Sequence, residues 1–229
     1  MPAARDDGVR TASAPTSTAA PRRGRPPRAS REQIVDAAVA LLRAAPDEPL
    51  TMARVANAVG LTPMALYRHF KDRDELMDEV VGQILIERNA AIGREGPWQD
   101  QLRAWVLGGL DHLVPCAQVV QVVLGGGSSR WVHDAATLVR ILEQAGFTDD
   151  ALADMQVWIA LSVGGYVMAE SSRRQGPNTP EVYAALAHLE PEDADRLAVL
   201  IPKIDRAFDQ MHERFADRLI QTVEAAAPR

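Results

Sequence analysis

The run from Leu50 to Leu76, LTMARVANAVGLTPMALYRHFKDRDEL, constrains this chain more than any other stretch, because two short helical patterns meet in it at a glycine. Thr51 can cap the free backbone N–H groups of the first pattern, which carries Val55, Ala56 and Val59 on its inner face. Gly60 suits the left-handed conformation that closes a helix, and Leu61 can fold back onto the apolar face just formed. Thr62 caps the second pattern, and Pro63 takes the first helical position, where its missing N–H costs nothing. Leu66 and Phe70, four residues apart, turn inward. Met64, Tyr67, Arg68 and His69 are left largely outward, on an expected helix of about two turns with dimensions that suit a DNA major groove.

The pattern L-T-x-x-x-V-A-x-x-x-G-L-T-x-x-x-L-Y-R-H-F-K-D-R-D-E-L resembles the amino-terminal domain of the tetracycline-repressor (TetR) family of transcriptional regulators, over roughly Ser30 to Val81. Beyond that domain the likeness is one of length and helical character. The resemblance implies that Thr51, Tyr67, His69 and Lys71 hold phosphates while Thr62, Pro63 and Met64 face base edges; backbone contacts position a protein and base contacts specify the sequence. Arg73 departs from the lysine common in the family, yet a guanidinium also grips phosphate. Met64 and Ala65 replace residues that are often Gly, Thr or Ser, which shifts expected base readout toward apolar contact with thymine methyls.

Charge is gathered at one end. The chain of 229 residues has a net charge of -6, which argues against nonspecific coating of nucleic acid. Residues 1 to 30 nevertheless hold six Arg against two Asp, while residues 82 to 229 hold 13 basic against 20 acidic groups. A basic amino terminus on an acidic body is the balance expected of a specific DNA binder with a regulatory domain. Residues 1–29, rich in Ala, Pro, Ser, Thr and Arg, lack hydrophobic periodicity and read as a disordered basic arm. Within it, Arg23-Gly24-Arg25-Pro26 is similar to the core of an AT-hook, in which arginines lie in a narrow A/T-rich minor groove; a generic basic tail is the other reading. Either way Arg23 and Arg25 are expected to aid DNA binding.

The single cysteine, Cys116, excludes an internal disulfide and fits a reducing compartment. No uninterrupted apolar run approaches the roughly 18 residues of a membrane span, and no signal-peptide core is visible, so a cytoplasmic protein without membrane partners is expected.

The organisation expected is all-α: a helix-turn-helix domain over residues 30–76, then a helical effector-binding and dimerisation bundle over 77–229. Ser30 and Gln33 form a capping box for a first helix carrying Ile34, Ala38, Leu41 and Leu42 and ended by Pro46. Asp72, Asp74 and Glu75 open a longer helix running toward Ala91, the lever between domains, with acids favoured at its start by the helix dipole. Further helices are expected near 98–113, 116–123, 129–145, 149–173, 181–188, 192–200 and 204–226, with a break at Pro202.

The segment Asp149 to Arg173 is apolar on more than one face and needs several partners. Ala160 and Gly164 permit close helix approach, and Phe208, Met211 and Phe215 lie on the last helical patterns. A two-fold four-helix interface of the kind the family uses would join these residues to those of a second copy. Trp105, His112, Trp131, Met155, Trp158 and Tyr166 are the candidate lining of a cavity for a small hydrophobic effector. His112 and Cys116 have the spacing of a metal pair, but Pro115 intervenes and no completing ligands are near, so no metal or cofactor is expected. Gly125-Gly126-Gly127-Ser128 lacks the strand and lysine of a phosphate loop and reads as a turn whose Ser128 caps the next helix. No nucleophile and base constellation suggests an enzyme. The expected function is that of a repressor released from a palindromic DNA operator by a small ligand. The alternative is an architectural DNA binder that uses only the arm and the helix-turn-helix.

Overall fold

The computed structural model describes residues 29–46, 48–125, 128–174 and 179–228. Among these residues every regular element is helical: α1 (Arg31–Ala44), α2 (Met52–Ala58), α3 (Pro63–Leu66), α4 (Arg73–Ala90), α5 (Trp98–Leu113), α6 (Ala117–Leu124), α7 (Trp131–Gln144), α8 (Asp149–Arg174), α9 (Thr179–Leu186), α10 (Pro191–Asp209) and α11 (Met211–Ala226). A 3-10 turn, Val114–Cys116, joins α5 to α6 at Pro115.

Local chemistry sets the first boundaries. Ser30 accepts from the Gln33 backbone N–H, and the Gln33 side chain accepts from the Ser30 N–H at 2.9 Å, closing both halves of the capping box. Ile34, Ala38 and Leu42 are buried along one stripe of α1, whereas Leu41 is half-buried at its margin. Thr51 and Thr62 accept from the backbone of Arg54 and Ala65, each 3.2 Å away. At Gly60, φ is +67°; its N–H reaches the Asn57 carbonyl while that of Leu61 reaches the Ala56 carbonyl at 2.8 Å. This paired closure is a Schellman motif, and the left-handed residue it needs is cheapest as glycine.

The expected two-turn second helix is shorter. Regular α geometry covers Pro63–Leu66, after which the N–H groups of Arg68 and His69 bond three residues back in a tightened turn ending at Phe70.

Helix α4 packs against α1 on one side and against α5, α6 and α7 on the other, so one continuous rod belongs to both the amino-terminal head and the bundle. Its buried residues Leu76, Val80, Val81 and Ile84 join the core that continues through Leu102, Val106, Leu110, Leu138, Ile141 and Val167. Burial of such side chains supplies about 1.5–3 kcal/mol each.

Two expectations are corrected. Pro202 does not break its helix: α10 runs through it to Asp209, and the break falls at Gln210. The apolar period through Leu197, Leu200 and Ile204 carries across the proline, and on a helix with no buried residue the freed carbonyl can turn to solvent. Ser128 does not cap α7, which starts after Arg130 without a side-chain cap; its hydroxyl donates to Asp78 Oδ1 at 2.5 Å and so ties the loop to α4. Trp98–Leu124 and Asp149–Arg174 are each long and apolar enough to cross a membrane by length and composition. Averaging hides what the faces do, since Leu102, Val106 and Leu110 in the first and Ile159, Val163 and Val167 in the second are spent on the core.

Candidate nucleic-acid interface and effector cavity

The outward face of the head is built by α3. Met64 is 72% and Tyr67 48% exposed, large values for apolar and aromatic groups, while Leu66 and Phe70 behind them are sealed. Thr51, Thr62, Pro63, Arg68 and Lys71 are exposed and His69 half-buried. The expected base-reading set Thr62, Pro63 and Met64 therefore stands together at the start of α3, with Tyr67 one turn along. Arg73 is exposed as well, and its Nε donates to the Leu50 carbonyl at 2.7 Å, which ties the side chain to the α1–α2 loop. The arm residues Arg23 and Arg25 lie outside the described residues.

Two residues that sequence reasoning missed hold this face in place. Arg31, at the first position of α1, donates to the His69 carbonyl, lies 4.1 Å from the centroid of the Phe70 ring, and pairs with Glu75 at 2.8 Å and Glu79 at 3.3 Å. The Lys71 N–H and Arg31 together hold the Glu75 carboxyl below the usual carboxylate range. Gln118 of α6 donates to the carbonyls of Pro46 and Glu48, both at 3.0 Å, and its Oε1 accepts from the Leu50 N–H at 3.4 Å. Nothing in a helical period marks an arginine or glutamine for such work, because the partners are 38 to 72 positions distant.

Behind the head, α4, α5, α6, α7 and α8 enclose a cavity of about 70 Å³. Of the expected lining, Trp105 and Trp131 are there. Four residues are not, and each has a specific reason. His112 turns its Nδ1 onto the Gly108 carbonyl at 2.9 Å and sits beside Glu87. Met155 packs at the core margin, and Trp158 projects from the outer face of α8. Tyr166 stacks on Phe215, with ring centroids 4.8 Å apart. In their place stand Arg88 of α4, Asp134 of α7 and aliphatic groups such as Leu85, Val120 and Val163.

Arg88 is 2% exposed; its Nη1 donates to Asp134 Oδ2 at 2.8 Å and its Nη2 to the Trp105 carbonyl at 3.1 Å. Burial pulls its pKa down, against the opposing charge of Asp134. Next to Trp131, Arg130 binds Asp78 at 3.0 Å and Glu79 at 2.8 Å, the same Glu79 that meets Arg31. Burial alone would raise the Asp78 pKa, but bonds from Ser128 and Arg130 outweigh it and hold the carboxyl below its ordinary range.

Of the residues expected at a partner interface, Ala160 and Gly164 face inward, while Phe208, Met211 and Phe215 stay half-buried within the single chain. Gly164 faces α6, where a Cβ would stand 3.1 Å from Leu124, and Ala160 lines the cavity. Phe215 is engaged with Tyr166, and Phe208 and Met211 are half-buried. The 3.6-residue period of α8 turns 160, 163, 164 and 167 inward, leaving Val157, Trp158 and Leu161 exposed on the other side.

An exposed short helix after a glycine turn, set on an all-helical body by a shared rod, is the architecture of a helix-turn-helix regulator. Residues 34–80 match the family model described as bacterial regulatory proteins, tetR family. It is 29% identical over 181 residues to the HTH-type transcriptional repressor DrrR1 of Streptomyces coeruleorubidus, a match spanning 72% of this chain and 64% of that protein's length. A similar fold is found in the TetR family protein ActR of Streptomyces coelicolor in complex with (S)-DNPA, with a TM-score of 0.67 at 22% identity over 87% of this chain and 98% of that one. BioQ, solved with its natural double-stranded DNA operator, shares 29% identity with a TM-score of 0.55 over 64% of this chain and 90% of that one.

Proposed function

We propose that the chain is a transcriptional repressor that binds a palindromic operator as a homodimer and leaves it when a small, largely apolar ligand enters the bundle. The observation that carries this reading is the solvent-facing start of α3, with Thr62, Pro63 and Met64 presented by a head like that of an operator-bound relative. Thr51, Tyr67, His69 and Lys71 take phosphates, and base edges fall to the first turn of α3. Arg73 contributes at most a partial phosphate contact. The arm with Arg23 and Arg25 adds salt-sensitive affinity, so deleting residues 1–28 lowers affinity and flattens its salt dependence.

Two heads about 34–36 Å apart read successive major grooves, which requires a dimer. Its surface is supplied by the exposed Val157, Trp158 and Leu161 of α8 and by α10, whose Leu197, Leu200 and Ile204 have no buried seat within the chain. The repositioned small residues Ala160 and Gly164 serve internal packing instead.

Ligand entry can reach the head by two physical routes. Displacing Trp131 moves Arg130, which shares Glu79 with Arg31 and so bears on His69 and Phe70. Displacing α6 moves Gln118 and with it the α1–α2 loop. DNA affinity falls by no more than the ligand's differential binding free energy for the two conformers. No catalytic step, metal or cofactor enters this account, and the setting is the cytoplasm.

An effector-independent architectural protein would bind DNA with little sequence preference and no response to ligands. Fluorescence anisotropy of labelled DNA from the gene's own upstream region, at several salt concentrations and against scrambled DNA, separates the two. Sequence-selective binding by a dimer supports the repressor. Equal binding to scrambled DNA overturns it.

A further inference from the structure

The cavity is apolar except along one edge, and that edge is unfinished. The Arg88 guanidinium lies 3.9 Å from the Trp105 ring centroid, and a Cβ on Gly109 would stand 2.9 Å from its Nη2, so the glycine makes the slot that receives it. One side of the guanidinium is satisfied by Asp134 and the Trp105 carbonyl. Arg88 Nε, Trp105 Nε1 and Asp134 Oδ1 are all buried and find no hydrogen-bond partner among the described residues. All three residues belong to the cavity wall, so two unpaired donors and one unpaired acceptor lie within that wall. Natural interiors seldom leave such atoms unpaired, and a ligand that pairs them gains what folding left unsatisfied.

Charge narrows the ligand further. Arg88 and Asp134 already neutralise one another, and an ionised ligand would bring a third, uncompensated charge into a low-dielectric interior. The room of about 70 Å³ holds only the polar end of a molecule. Among its lining residues Trp131 is 43% and Leu124 50% exposed, two large apolar groups at the solvent side of the wall.

Resting on the reading of this cavity as the effector site, we propose that it takes a neutral ring compound bearing a carbonyl and a separate hydroxyl. The carbonyl oxygen accepts from Trp105 Nε1 and Arg88 Nε, the hydroxyl donates to Asp134 Oδ1, and the rings extend between Trp131 and Leu124.

The test uses the full chain and four probes of similar size: 6-hydroxy-1-tetralone, its methyl ether 6-methoxy-1-tetralone, the hydrocarbon tetralin, and 1-naphthoate. Binding is read by quenching of tryptophan fluorescence and by calorimetry. The hydroxy-ketone should bind about tenfold or more tightly than either the ether or tetralin, the loss expected when buried polar groups stay unpaired. Trp105→Phe keeps the ring under Arg88 and removes the N–H, so it should lower affinity for the hydroxy-ketone by about fivefold and leave tetralin unchanged. Equal affinity for the three neutral probes, tighter binding of naphthoate, or no binding of the hydroxy-ketone overturns the proposal. The probe series needs no variant, so it decides even where Trp105→Phe fails to fold. The same probes are then added to the DNA complex. Selective binding without DNA release supports this pocket chemistry and overturns the release step of the repressor reading. Release by tetralin equal to that by the hydroxy-ketone overturns the pocket chemistry and leaves the repressor standing.

Discussion

Arg31 lies face-on to the Phe70 ring, 4.1 Å from its centroid, and so fastens the first turn of α1 to the end of the turn that follows α3. Its guanidinium also takes the His69 carbonyl and two carboxylates of α4, Glu75 and Glu79. Arg31→Met keeps much of the apolar stem and removes all of these. With the side chain 37% exposed, the loss of stability should be modest, about 1–2 kcal/mol by thermal unfolding. Affinity for operator DNA should fall by more than that stability loss explains, and unchanged affinity would remove Arg31 from the positioning of α3.

Met64 and Tyr67 occupy neighbouring positions on one exposed face but are assigned different partners. Tyr67→Phe should weaken binding at every operator sequence by about 1 kcal/mol, the worth of one hydrogen bond to a phosphate. Met64→Ala should instead change which sequence is preferred. Anisotropy titrations against an operator series distinguish the two, and equal, sequence-independent losses would refute the assignment.

Gln118 satisfies three backbone groups of the α1–α2 loop from a helix that lines the cavity. Gln118→Ala should cost about 1–2 kcal/mol of stability. It should also loosen hydrogen-exchange protection at Leu50 while leaving that of α11 intact. Uniform change across the chain would show a global effect instead.

Gly109→Ala places a methyl 2.9 Å from Arg88 Nη2 and about 3.1 Å from the adjoining guanidinium atoms. Arg88 is enclosed and cannot swing to water, so the strain should amount to about 1–3 kcal/mol in denaturant unfolding. A neutral effect would mean that the guanidinium has room to retreat.

Glu170 is buried between Arg173 and Arg174, each donating through Nε at 2.9 Å. Burial by itself raises its pKa, but those two bonds prevail and hold it below its ordinary value of 4.5. The unfolded chain then binds the proton more readily, so this contribution is complete above pH 4.5 and is lost as pH falls below that value through the lower folded pKa. Urea titrations from pH 6 down to about pH 3 should show Glu170→Gln losing less stability on acidification than the unmodified chain. Parallel acid limbs would count against the ion pairs.

Features whose physics closes within a few residues could be read directly from the sequence. The Ser30 and Gln33 box, the Thr51 and Thr62 caps, the Gly60 closure and the inward Leu66 and Phe70 all depend on neighbours three to five positions away. Helix α10 shows the limit of such reading, since Pro202 is a sound local stop signal that an exposed, apolar-striped helix can absorb.

The candidate site divides along the same line. The amino-acid sequence by itself determined the all-helical class and which side chains of the head turn outward, because capping, turn closure and 3.6-residue periodicity are short-range effects. The tertiary structure alone decided that Arg31 and Gln118 brace the reading head and that Arg88 and Asp134 enter the cavity. It likewise turned Tyr166 toward Phe215, Trp158 toward solvent and Gly164 toward α6. Those outcomes follow from how helices far apart in the chain pack side by side, and a charge or ring is drawn to whichever partner that packing brings within reach.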